Sequence, residues 1–154
     1  MLGMTADEDV KRFTRVPLGA DPAFVTSWIE RYVHGWEDGS CAGFSIRDVE
    51  TDAYLGFAAI VSLELDAAEG EIGYMTLPEA RGRGVARRSV ELLTAWGFAE
   101  LGLQRLELMI DVANEASAAI ARRTGYTLEG IRRSGHVKGG LRADTGVWSR
   151  LPGD

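Results

Sequence analysis

The chain has 154 residues, 45% of them hydrophobic, a length that suits one domain over residues 1–154 with a sizeable core. Its 17 basic and 23 acidic side chains give a net charge of -6, which argues against a protein that coats nucleic acid or an anionic membrane and is compatible with a basic acceptor. One cysteine, Cys41, and two histidines, His34 and His136, assemble neither a disulfide framework nor a metal cluster.

Residues 1–5 are expected to fray, and 7–13 to form a short helix ahead of Pro17. Asp21 followed by Pro22 is an N-cap and first-turn pair. Phe24, Val25, Trp28, Ile29, Tyr32, Val33 and Trp36 then recur at helical spacing, a stripe more often core than pocket lining. Gly39 and Gly43 break that helix. Phe44, Ile46 and Val49 suggest a strand, Thr51-Asp52 a turn, and 54–65 a longer strand whose nearly continuous apolar run from Phe57 to Val61 suits burial on both faces.

The stretch 71–88 reads as strand, glycine-containing turn and helix. Ile72, Tyr74 and Thr76 alternate with Glu71, Gly73, Met75 and Leu77 until Pro78 stops the strand. Arg81, Gly82, Arg83, Gly84, Val85 and Ala86 follow, and a wide apolar stripe over 84–101 predicts a helix that Gly102 ends, with Arg87 and Glu91 as an exposed i,i+4 pair. Glycines that curl backbone N–H groups inward, next to a helix N-terminus, make an anion cradle. The turn lacks the Lys-Ser/Thr of a Walker loop and the three-glycine spacing of a dinucleotide fingerprint. Its alternative is a plain solvated loop or an RNA-binding tail.

Residues 105–112 alternate Leu106, Leu108, Ile110 and Val112 against Glu107, Met109 and Asp111, a strand that a right-handed crossover makes parallel to the Glu71 strand. Asn114 and Glu115 start a short helix closed by Gly125, and 126–137 with 141–150 form a hairpin about Lys138-Gly139-Gly140. The result is an α/β (α+β) mixed sheet with helices on its faces.

The Arg81-Gly82-Arg83-Gly84-Val85-Ala86 loop, set between strand and helix and followed by Asn114, Ser117, Gly125 and Tyr126 in order, resembles the GNAT superfamily of N-acetyltransferases. Ser117 and the C-terminal run Gly140 to Asp144 and Trp148 to Pro152 are similar to its RimJ/RimL-like branch, which acetylates protein or peptide N-termini. The resemblance covers nearly the whole chain but lacks the family's opening strand and helix. It implies an acyl-CoA N-acyltransferase fold and transfer of an acetyl group from acetyl-CoA to a primary amine, of a protein or peptide N-terminus or a small molecule.

For the cofactor, the resemblance implies a backbone edge at Met75, Thr76 and Leu77, a pyrophosphate cradle from Arg81, Gly82, Arg83, Gly84, Val85, Ala86 and Arg87, and contacts from Asn114 and Ser117. Asn114 is equally placed to be a helix N-cap, and Ser117 either protonates the leaving thiolate or is a solvated first-turn serine. The sequence departs from the family at Ala121, where many members carry a general-acid tyrosine, and at Met109, where another branch carries a glutamate. Glu71 is then the favoured base, with Glu107 as runner-up and surface ion pairing as the alternative for both. Two further expectations are a cytoplasmic location and a homodimer covering an exposed sheet edge. The competing function is a CoA-binding module without turnover, and no metal is expected.

Overall fold

A computed structural model describes residues 4, 6–17 and 20–154. In chain order these form α1 (Glu8–Phe13), α2 (Pro22–Asp38), β1 (Ala42–Arg47), β2 (Tyr54–Glu64), β3 (Glu69–Thr76), a 3-10 turn (Pro78–Ala80), α3 (Val85–Ala99), β4 (Arg105–Asp111), α4 (Glu115–Arg123), β5 (Thr127–Lys138) and β6 (Leu141–Arg150). Local chemistry sets the boundaries. The Asp7 carboxylate accepts from the Val10 amide at 3.0 Å and that of Asp21 from Phe24 at 2.8 Å, so both helices begin on a side-chain cap. Gly139 and Gly140 both hold positive φ, 55° and 80°, as the two central residues of a type I′ hairpin turn require.

The six strands run in the order β1-β2-β3-β4-β6-β5, antiparallel except where β3 lies parallel to β4. One face of the sheet offers Ala58, Ile60, Ile72, Leu106, Leu108 and Ile110 to Val90 and Leu93 of α3 and Ala121 of α4. Residues of the opposite parity on β2, Phe57, Ala59 and Val61, meet Trp28 and Tyr32 of α2 together with Cys41. The near-continuous apolar run of β2 is therefore explained by cover on both faces.

Three expectations change. Trp36 is 58% exposed and stacks on Trp96 with centroids 6.1 Å apart, so the last turn of the α2 stripe lies outside the core. Val49 is 99% exposed in the turn after β1, which ends at Arg47. Met4 is buried at 1% exposure and its sulfur accepts from the Tyr54 hydroxyl at 3.4 Å, whereas the fraying expected of 1–3 and 5 falls outside the described residues.

The parallel pairing of β3 with β4 covers only Glu69↔Arg105, Gly70↔Leu106 and Glu71↔Glu107. Beyond it β3 stays with β2 as far as Thr76↔Gly56, and β4 stays with β6 as far as Asp111↔Thr145. A bulge in β2 between Ile60 and Ser62 sits opposite Glu71 and Ile72, where the two strands part. An extra residue on one strand bends it and increases its twist, so β2 carries β3 away from β4 at this point.

The core that holds the two diverging strands is tightly packed around Leu106, which is 0% exposed. Leu106→Ala is expected to lower unfolding free energy by about 2–5 kcal/mol in urea titrations, with little change in the slope.

Candidate active site

Where the strands part, backbone groups lose their partners. The Leu77 amide donates to Leu55 O at 2.9 Å, so Leu77 and Met75 turn their backbone toward β2, and Tyr74 and Thr76 turn theirs toward the gap. Opposite them the Val112 amide donates to Asp144 O at 3.0 Å, which turns Val112 and Ile110 toward β6 and Met109 and Asp111 toward the gap. Of the expected edge Met75, Thr76 and Leu77, Thr76 therefore faces the opening, with Tyr74 as the neighbour that sequence reasoning left out. Met75 and Leu77 pack their side chains on the cluster of Met4, Val10 and Val16.

At the far end of β3 the glycine turn enters α3. Gly82 and Gly84 hold φ of 71° and 79°, and a Cβ at either would meet nothing within 4 Å, so the turn is open on its outer side. No side chain caps α3, and its first backbone bond is from Arg88 to Gly84 O, leaving the amides of Val85, Ala86 and Arg87 for an external acceptor. The arginines here are held by acids. Arg81 reaches Asp7 at 2.5 Å and Asp9 at 3.0 Å, Arg83 stands 3.6 Å from Asp48, and Arg87 pairs with Glu91 at 3.0 Å as expected. Burial works to raise the Asp7 pKa, but hydrogen bonds from Arg81 and the Val10 amide outweigh it and hold the carboxyl below its usual range.

The side chains near the gap fall on two faces. Glu71 lies on the α2 face, with its Oε1 3.5 Å from Arg15. Burial raises its pKa, Arg15 opposes the rise and Glu107 adds to it. Glu107 is engaged by Arg105 at 2.5 Å, and Arg105 also grips Glu129 at 2.6 Å. That guanidinium, with the Ser149 hydroxyl, pulls the Glu129 pKa down to about 2. Of the two candidate bases, Glu107 is thus committed to an ion-pair network and Glu71 is the one with a raised pKa.

On the α3–α4 face the Asn114 side-chain oxygen accepts from the Ser117 amide at 3.1 Å, so Asn114 is an N-cap whose Nδ2 still points elsewhere. The Tyr74 hydroxyl is buried beside that of Ser117; burial raises its pKa and Ser117 works against the rise. Tyr126 is pushed up to about 12 by burial, opposed by its 2.8 Å hydrogen bond with Thr94. Ala121, one helical turn after Ser117, is 0% exposed. The alternation that placed Tyr74 with Ile72 and Thr76 was the available signal for its role, but nothing local told its hydroxyl's surroundings.

Of the remaining expectations, Cys41 is buried, Trp28 and Tyr32 are core, and His34 is exposed near Glu37. The Lys138 ammonium donates to Thr14 O at 2.6 Å and to Val16 O, and burial lowers its pKa. Among the described residues no group of His, Cys, Asp or Glu could hold a metal ion.

The one parallel pair of the sheet thus splays beside an uncapped, glycine-entered helix, which puts an unpaired backbone edge and an anion cradle next to each other. A profile described as Acetyltransferase (GNAT) domain matches residues 1–127, so the chain belongs to the GNAT acetyltransferase family. A Bacillus subtilis (strain 168) protein named Uncharacterized N-acetyltransferase YoaA is 27% identical over 123 residues, 80% of this chain and 70% of its own length. Spermidine N(1)-acetyltransferase of Escherichia coli (strain K12) is 32% identical over 75 residues, 49% of this chain and 40% of that enzyme. The solved structure of RimL, a ribosomal L7/L12 alpha-N-protein acetyltransferase in complex with coenzyme A, superposes with a TM-score of 0.79 at 21% identity, covering 86% of this chain and 73% of RimL, and so shares its fold. The chain is an N-acetyltransferase, and its substrates are acetyl-CoA and an amine.

The open turn and free amides fit a pyrophosphate. Gly84→Glu, which places a carboxylate at the helix N-terminus and strains a positive φ, is expected to weaken acetyl-CoA binding at least about tenfold in calorimetry. Gly84→Asn, a residue that tolerates the left-handed region, is expected to retain most of the affinity.

Proposed function

We propose that the gap between β3 and β4 receives the acetyl-bearing arm of acetyl-CoA and that an amine enters from the α2 face beside Glu71. The observation that carries this reading is the end of parallel pairing at Glu71↔Glu107, with the Thr76 and Tyr74 backbone turned to the gap. Buried amides and carbonyls without partners are costly, and a ligand with amide groups along its chain completes them as an added strand would. The Asn114 side-chain amide contributes a further contact, and the amides from Gly82 to Arg87 cradle the phosphates.

Glu71 takes the proton that the attacking amine must lose, directly or through water. A primary amine is charged near neutral pH, and a carboxylate shifted upward by burial is a stronger base than a free one. The amine nitrogen bonds to the thioester carbon, the carbon–sulfur bond breaks, and the sulfur leaves as a thiolate that needs a proton. Tyr74 supplies it, with the adjacent Ser117 hydroxyl as relay or positioning partner. A phenol is close in pKa to a thiol, which a serine hydroxyl is not, and burial keeps Tyr74 protonated. Tyr74 thereby supplies from the strand the phenol that Ala121 cannot supply from α4.

No helix among the described residues is long and apolar enough to cross a membrane, which is compatible with work in the cytoplasm as a single domain. The acceptor is a protein or peptide N-terminus or a small amine, neither nucleic acid nor membrane is a partner, and a homodimer would cover the β1 edge. Titration of acetyl-CoA with parallel measurement of thiol release tests the function. Saturable binding with amine-dependent release supports it, and binding without release on any amine leaves a CoA-binding module.

Glu71→Gln and Tyr74→Phe are each expected to lower kcat by about 10²–10⁴ with acetyl-CoA affinity within about twofold of the parent. Glu71 also sets a pH dependence of stability. Its folded pKa lies above the unfolded one, so between the two values the unfolded chain has already released the proton, and stability falls as pH rises through that window. Glu71→Gln is therefore expected to gain in melting temperature relative to the parent as pH is raised from about 4 to about 7, in thermal scans.

A further inference from the structure

An open cleft of about 300 Å³ is lined by Arg15, the partner of Glu71, and by Pro17, His136, Val137, Lys138 and Gly139. Its walls come from distant parts of the chain, the segment after α1 and the tip of the β5–β6 hairpin. The Lys138 ammonium ties them together by donating to the carbonyls of Thr14 and Val16. Arg15 joins the cleft to the proposed base, since its guanidinium stands 3.5 Å from Glu71 Oε1 while its side chain remains 71% exposed. His136 brings a ring nitrogen, Nε2, that is buried and unbonded among the described residues.

The lining is therefore basic, on a chain whose net charge is -6. The Arg15 guanidinium and the Lys138 ammonium around one cleft, with no acidic residue in its lining, repel a second ammonium group and attract a carboxylate. A buried polar nitrogen without a partner is costly, which leaves His136 with bonding capacity beside the cleft.

We infer that the acceptor is an amine bearing a carboxylate near the amino group, whose anionic end occupies the Arg15–His136 cleft while its nitrogen lies at Glu71. The inference rests on the acetyl-transfer reading and narrows its acceptor to the anionic class, either a free acidic amino acid or the acidic N-terminus of a peptide. A polyamine is the wrong charge for this cleft. Arg15 acts by holding the acceptor and is a positioning residue.

The test compares thiol release with acetyl-CoA from L-glutamate, from a C-terminally amidated peptide beginning Glu-Asp, from the same peptide beginning Lys-Lys, and from spermidine. Direct calorimetric titration of each amine runs beside it. The expected result is a kcat/KM at least about tenfold higher for an anionic amine than for spermidine or the basic peptide. Glutamate against acidic peptide separates the two sources. Arg15→Glu should abolish or reverse the preference mainly through KM, Arg15→Lys should keep part of it, and His136→Gln should weaken anionic acceptors alone.

A preference for spermidine or the basic peptide, or a preference unmoved by Arg15→Glu, overturns the inference while leaving acetyl transfer intact. Failure of acetyl-CoA to bind removes the acetyl-transfer reading and the inference with it. Where acetyl-CoA binds but no amine is acetylated, the titrations decide: anionic amines bound through Arg15 support the cleft's assignment, and no discrimination between amines sinks it.

Discussion

The molecule depends on one interruption in its hydrogen-bond ladder. β3 and β4 pair for three residues and then each follows its outer neighbour, β2 on one side and β6 on the other. A sheet tolerates such a break only because both halves are complete elsewhere: the outer pairings persist to Thr76 and Asp111, and α3 and α4 cover the shared apolar face. The bulge in β2 sets where the break falls, so the position of the gap is determined two strands away from β4. What remains is an orphaned edge of backbone groups, a recognition surface that requires no particular side chain.

The glycine turn shows the same economy. Its arginines are occupied by Asp7, Asp9 and Asp48, contacts that hold the N-terminal segment and the β1–β2 turn against the cradle. The amides of a helix that no side chain caps are thereby left open to an anion, and the arginines serve first to fix its surroundings. Arg83 and Arg87 retain about half of their side-chain exposure, 55% and 53%, so they can still turn toward an anion.

Much of this was legible in the sequence because it is written in local rules. Alternation in 71–77 and 105–112, the Asp21-Pro22 start, the paired glycines at 139 and 140 and the strand-turn-helix order around Gly84 each follow from short-range chemistry, and each element stands where that chemistry put it. The site is less legible, because its decisive contacts join residues far apart in the chain. Nothing around Arg15 announces Glu71, 56 residues on, and Lys138 gives no sign that its partners are Thr14 and Val16. Trp36 was misread as core because helical periodicity does not tell where the sheet beneath a helix ends; there the stripe runs past the β1 edge and meets Trp96 instead.

The choice between the two glutamates shows why geometry has to finish what pattern begins. Glu71 and Glu107 are register partners on neighbouring strands, of the same residue type, and periodicity cannot separate them. Their neighbours do. Arg105 lies two residues before Glu107 and so on the same side of β4, where it binds Glu107 and Glu129 together, and Ser149 reinforces Glu129. Glu107 is thereby tied to a guanidinium that two further groups hold in place. Glu71 meets a single, mostly exposed arginine, and its burial favours the protonated form. On the proposed reading the base is distinguished by what Glu71 lacks and Glu107 has: an arginine of its own strand, clamped in place. The same loosely held Arg15 that leaves Glu71 basic is also free to meet an incoming acceptor, so one contact links the choice of base to the choice of substrate.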